Sequence, residues 1–175
     1  LYGGGFRLED REGLIRAVRA LRTRASSEAL FRSFASLGGE RGWLVWNWAW
    51  ALRGFLDRLL GGPGLRRGRR HPTELLPGEA VDFWRVEAVE PPRLLRLRAE
   101  MRLPGRAWLE WEAREAEGGS LLVQTAYFEP KGLTGFLYWW ALYPIHRRIF
   151  SDLARAIVRE AEAQAEAPPR GGGAG

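Results

Sequence analysis

Arg93-Leu94-Leu95-Arg96-Leu97-Arg98-Ala99-Glu100-Met101-Arg102-Leu103 carries the clearest periodic pattern in the chain. Leu95, Leu97, Ala99, Met101 and Leu103 alternate with Arg96, Arg98, Glu100 and Arg102. Successive side chains of a strand point to opposite faces, so strict period two means one dry face and one wet face. Working outward, Pro104-Gly105 turns the chain into Arg106 to Glu115, where Ala107, Leu109, Trp111 and Ala113 share a face. Gly118-Gly119 turns it again into Ser120 to Glu129, where Leu121, Val123, Thr125 and Tyr127 share a face. Upstream, Val81 to Glu90 reads as another strand, closed by Pro91-Pro92. Four strands joined by short turns predict an antiparallel meander.

Helical spacing flanks the meander. Ser26 and Ser27 supply an N-cap, Leu30, Phe31, Phe34 and Leu37 recur along one face, and Gly38-Gly39 ends the segment. A second helix is predicted from Trp43 to Leu60, apolar nearly all round in its first half and stopped by Gly61-Gly62-Pro63-Gly64. Leu14 to Arg24 alternates arginine with apolar residues and reads as a strand. At the other end, an aromatic run from Phe136 to Tyr143 meets Pro144, which kinks or restarts a long helix striped by Ile145, Ile149, Leu153, Ala156 and Ile157. The order is strand, two helices, four-strand meander, long helix. It predicts an α+β fold: a curved antiparallel sheet gripping the long C-terminal helix, two helices inserted after the first strand, and a cavity between sheet and helix. Residues 1–13 are expected to be a flexible arm or linker, 14–165 a single domain, and 166–175 a disordered tail.

Composition narrows the chemistry. The chain has 175 residues, no cysteine and a formal net charge of +6, with Lys131 the only lysine among 27 basic residues. Disulfides, thiolate catalysis and thiolate-bound zinc are excluded. The arginines are interleaved with Asp and Glu instead of gathered on one element, which argues against a nucleic-acid partner. With only His71 and His146, a multi-histidine metal site is excluded as well. No signal-peptide pattern is visible, and the expectation is a cytoplasmic protein. The run Gly132 to Ile145 is shorter than the roughly twenty apolar residues that a membrane span needs.

Nine tryptophans stand out, eight of them clustered as Trp43, Trp46, Trp48 and Trp50, then Trp108 and Trp111, then Trp139 and Trp140, with Trp84 apart. Each indole buries a large apolar area yet carries an N–H that needs an acceptor, which suits an aromatic-walled cavity or a greasy docking face as well as a core. A set of longer motifs points further. Gly38-Gly39-Glu40-Arg41-Gly42-Trp43, the stretch Asp57 to Arg70, Asp82-Phe83-Trp84-Arg85-Val86-Glu87 and Leu103-Pro104-Gly105-Arg106-Ala107-Trp108-Leu109 belong to it. Gln124-Thr125-Ala126-Tyr127-Phe128 and Tyr138-Trp139-Trp140-Ala141-Leu142-Tyr143-Pro144 continue it. Together, over roughly residues 14–160, the chain resembles a bacterial domain of unknown function of the START/polyketide-cyclase-like (SRPBCC, helix-grip) superfamily. The resemblance implies a helix-grip fold with a ligand cavity. It also implies frequent placement after an NAD(P)-binding short-chain-dehydrogenase-like domain, with the arm Arg7 to Leu14 resembling the join. It transfers no active site, and any NAD(P) would belong to the fused or partner domain.

The expected function is binding of a small hydrophobic or amphipathic ligand, with the domain acting as an accessory to an NAD(P)-dependent oxidoreductase. Trp46, Trp50, Trp84, Leu97, Ala99, Trp111, Tyr127 and Trp140 are the candidate walls, and Asn47, Asp82 and His146 the candidate polar anchors. Arg66, Arg67, Arg69 and Arg70 are candidates to meet an anionic end at the mouth. They do not form a known phosphate loop: Gly-Lys-Ser/Thr is missing and the glycines follow a helix instead of a strand. Two alternatives are open. One is a cyclase- or hydratase-type enzyme using Asp82 and His146 as acid and base, which requires both to reach one cavity. The other is a peripheral membrane binder resting on Trp43 to Phe55. Which face of each strand lines the cavity is also open: a one-residue slip exchanges Trp111 for Trp108, and Asp82 or Trp84 for Phe83.

Overall fold

The computed structural model describes residues 5–11, 13–38, 42–62, 71, 74–82, 84–100 and 103–166. A seven-stranded antiparallel sheet is built from β1 (Gly5–Arg11), β2 (Leu14–Thr23), β3 (Ala80–Val81), β4 (Trp84–Glu90), β5 (Leu94–Ala99), β6 (Gly105–Ala116) and β7 (Gly119–Pro130), in the order β1-β2-β7-β6-β5-β4-β3. Helices α1 (Ser27–Ala35) and α2 (Asn47–Leu59) follow β2, and α3 (Gly132–Glu166) closes the chain.

The predicted meander is β4 to β7. Register fixes its inner face: Trp111 lies opposite Leu95 and Gln124, and Leu109 opposite Leu97 and Ala126. Val86 lies opposite Leu97, and Phe128 opposite Ala107 and Ile15. The outer face carries the arginines, paired as Arg96–Glu110 (2.6 Å), Arg93–Glu112 (2.9 Å), Arg114–Glu112 (2.8 Å) and Arg106–Glu129 (2.8 Å). Pairs on a solvent-facing sheet surface contribute little net stability. Their structural consequence is a wet face that sends the apolar parity inward.

Three expectations are corrected. Gly5–Arg11, taken as part of a loose arm, is an edge strand: β1 runs along β2 from Gly5 opposite Ala20 to Arg11 opposite Leu14. Phe6 is held there by the Arg19 and Arg147 guanidiniums, 5.0 and 5.3 Å from its ring. The helices therefore follow the second strand. Trp43 to Trp46 is not helical, because Leu44 (φ 66°) and Trp46 (φ 54°) are left-handed. Tertiary hydrogen bonds hold that turn against the local preference: Trp43 Nε1 donates to Asp82 (2.8 Å), Trp46 Nε1 to Asp152 (2.8 Å), and Trp43 N to Asn47 Oδ1 (2.8 Å). Finally, Val81 to Glu90 is broken at Asp82 (φ 54°) into β3 and β4.

α1 forms as predicted, with the Ser26 side chain accepting from Ala29 N (3.1 Å). α3 runs unbroken through Pro144, which is exposed, so the hydrogen bond it cannot donate is lost on the wet side. Leu153 and Ile157 of α3 pack with Leu30 and Phe34 of α1 onto Leu109, Trp111 and Leu122 of the sheet, forming the main core. A separate cluster holds Ile15, Phe128 and Trp139.

Candidate functional site: an aromatic cavity between sheet and helix

The two clusters do not merge, and the gap between them is a cavity. Its volume is about 90 Å³. Main-core residues Trp50, Trp84, Ala126 and Ile149 wall one side, and Phe128 and Trp139 of the smaller cluster the other. α2 adds Ala49 and Arg53, β6 adds Ala107, and α3 adds Tyr138, His146 and Phe150. A space of this size holds several waters or a slender apolar group.

Its polar groups are few. His146 stacks on Phe150 (5.7 Å between ring centres) and lies 6.1 Å from the Trp139 ring. Burial and then the Arg53 guanidinium lower its pKa from 6.5 to about 4, so the imidazole is neutral at pH 7. Among the described residues its buried Nδ1 has no hydrogen-bond partner, and neither has Nε1 of Trp139. Arg53 is half-buried in the same wall, its guanidinium 5.4 Å from the centre of the Tyr138 ring, and burial raises the Tyr138 phenol pKa. A smaller cleft adjoins through Ala126, Trp139, His146 and Phe150 and adds Phe6, Arg19, Gln124 and Arg147. Among the described residues no cluster of His, Asp and Glu could hold a metal, and no helix is long and apolar enough to cross a membrane.

Residues 11–153 match a family described as a protein of unknown function (DUF2867). The chain belongs to the DUF2867 family. No curated protein sequence matches it. Solved structures similar to this DUF2867 chain include the di-domain ARO/CYC StfQ from the steffimycin biosynthetic pathway, at 12% identity and TM-score 0.53 over 88% of this chain and 52% of that one. Ara h 8.0201 matches at 11% identity and TM-score 0.52, over 86% of this chain and 99% of that one. At1g70830 of Arabidopsis thaliana, a member of the major latex protein family, matches at 14% and 0.52, over 89% and 98%. At such identities the likeness shows the fold alone, a helix-grip fold.

The structure of this DUF2867 chain sorts the candidate residues. Trp50, Trp84 and His146 line the cavity. Tyr127 borders it too, but it belongs to the outer parity of β7, with Glu110, Arg96 and Arg16 as its charged neighbours. Its contribution to the wall, like that of Trp108 opposite it, is strand backbone. Leu97 and Trp111 are sealed in the main core, Trp111 stacked on Phe34 and donating to Gln124 Oε1 (2.8 Å), and Ala99 packs against the same core outside the wall. Trp46 is tied to Asp152, Asn47 is exposed and accepts from Trp43 N, and Trp140 is exposed. Asp82 is buried behind Trp43 and is not in the wall, so Asp82 and His146 do not share the cavity. Arg66, Arg67, Arg69 and Arg70 lie outside the described residues.

Sequence reasoning missed Arg53, Tyr138, Trp139 and Phe150. Counting back from Leu153 in helical steps gives Phe150, His146 and Trp139, so the phase of α3 carried the signal for Trp139 over Trp140.

Proposed function

We propose that this domain binds a small hydrophobic or amphipathic ligand in the cavity between β6–β7, α2 and α3. One observation carries the reading: two apolar clusters are parted by an aromatic-walled space instead of fused into one core. Close packing is the rule in protein interiors, so a gap of this kind is unusual unless something fills it. That StfQ is an ARO/CYC protein is compatible with the reading but assigns no reaction to this chain. Native mass spectrometry of the purified protein, with organic extraction of what travels with it, tests the proposal. A defined bound small molecule is the expected result. An empty protein with no thermal shift across C8–C12 fatty acids, alcohols and aromatic amphiphiles would overturn it.

A second reading adds a peripheral membrane contact. Trp48, Leu52, Phe55, Leu56 and Leu59 form an exposed stripe along α2, and Leu133, Phe136, Leu137 and Trp140 are exposed on the first half of α3. Asp57, the only acidic residue of α2, is buried, and the next acid along α3 is Asp152, so the exposed charges beside the stripes are cationic. Co-sedimentation with phosphatidylglycerol vesicles, reduced by Phe55→Ser and in high salt, is the expected result. No binding at low salt would exclude the contact. The family resemblance further supports service beside an NAD(P)-dependent oxidoreductase. In that arrangement NAD(P) sits in the fused or partner domain, since this chain has no Gly-x-Gly-x-x-Gly turn behind a strand.

A further inference from the structure

We infer that the cavity selects an amphiphile whose polar end is an anionic hydrogen-bond acceptor, a carboxylate or comparable oxyanion, seated among Trp139, His146 and Arg53. The inference rests on the ligand-binding reading above and specifies its ligand class.

Its first support is the chemistry of the two groups left without partners. An indole N–H only donates, so the partner that Trp139 Nε1 lacks must be an acceptor. Trp139 is 4% exposed and lines the cavity. A buried donor left unsatisfied destabilises the empty state, and a bound acceptor relieves it. The neutral imidazole of His146 can donate from one nitrogen to the same acceptor.

The second support is charge. Among the described residues, neither the cavity nor the cleft joined to it through His146 is lined by an aspartate or glutamate, whereas Arg53 lines the first and Arg19 and Arg147 the second. Asp152 accepts from Trp46 Nε1 (2.8 Å) and Arg148 Nε (3.3 Å), and Asp57 is buried one turn beyond Arg53 on α2, outside both linings. The Arg53 field reaches the imidazole, since it contributes to holding His146 in its neutral form. A cationic head would meet guanidiniums and no carboxylate in either lining. An oxyanion would meet a guanidinium and two N–H donors in a largely apolar wall, where charge-assisted hydrogen bonds are strong.

The test uses a matched C10 series on delipidated wild-type protein: decanoate, 1-decanol and decyltrimethylammonium, with affinities from calorimetry. Decanoate should bind at least about tenfold more tightly than the cation and more tightly than the alcohol, as one charge-assisted hydrogen bond would give. Arg53→Gln should remove the preference for decanoate over decanol while leaving decanol binding in place. Two-dimensional NMR of the imidazoles supplies a readout that mere packing would not move. Saturating decanoate should raise the His146 pKa above its value of about 4. Equal or tighter binding of the cation or the alcohol, or an unmoved His146, overturns the inference while the ligand reading stands. Failure of all three probes to bind overturns both.

Discussion

Asp82 combines a left-handed backbone (φ 54°) with a carboxylate that accepts from the buried indole of Trp43 at 2.8 Å. Asp82→Ala takes this acceptor from Trp43 and leaves a Cβ in a conformation that Asp and Asn tolerate better than most residues. It should cost about 1–3 kcal/mol in urea unfolding, with Asp82→Asn losing a fraction of that. Decanoate affinity of the folded variants should match wild type, because Asp82 is outside the wall; a large loss of affinity at unchanged stability would return it to the chemistry. His146 behaves differently because its folded-state pKa is about 4 against an ordinary 6.5. The unfolded chain takes up a proton first as pH falls, so stability is full above pH 6.5 and declines towards pH 4, by up to about 3 kcal/mol. His146→Phe keeps a ring on Phe150 and removes the titration. Urea midpoints at pH 7.5 and 4.5 should therefore differ less for the variant than for wild type, and an identical acid loss in both would assign the effect to other groups.

At the scale of elements, α3 owes its seat to Gly135. A Cβ there would lie 2.2 Å from the Pro104 carbonyl oxygen and 3.0 Å from Pro130, both backbone, which cannot swing aside. Gly135→Ala should therefore push the first turn of α3 off the start of β6, costing about 1–3 kcal/mol and loosening the Tyr138–Trp139 wall. Thermal melting and decanoate affinity should fall together. Gly132→Ala, at φ 66° with open space around its Cβ position, should cost only the local strain and leave affinity alone. Which elements could be read from sequence follows the same logic of local against distant causes. β5 and β6 were legible because their alternation is written residue by residue. β7 was legible as a strand but not in its facing: Leu121-Leu122-Val123 has no polar residue to set the parity, and pairing with β6 sets it. The start of α2 was illegible because an apolar run carries no phase, and the hydrogen bonds that unwind it reach Asp82 and Asp152, both remote in sequence. β1 was hidden behind glycines, and only its pairing with β2 makes it a strand. The adjacent pair Trp139-Trp140 offered no choice until the phase of α3 about Leu153 was used.

For the molecule as a whole, a space of about 90 Å³ beside a close-packed core is a standing loss of stability. Filling the space should therefore separate stability from binding. Ala126 is the position for it, because it faces inward on β7 and touches both the cavity and the cleft beside His146. Ala126→Leu adds three carbons to that space. If the space is open, stability should hold or rise by about 1 kcal/mol, since the added methylenes are buried without displacing a neighbour, while decanoate affinity should drop at least about tenfold as the site is occupied from within. If the walls close in solution, the same substitution overpacks them and should cost about 1–3 kcal/mol. The sign of the change, read in one urea titration beside one calorimetric titration, decides whether the gap between the two apolar clusters is kept open for a ligand.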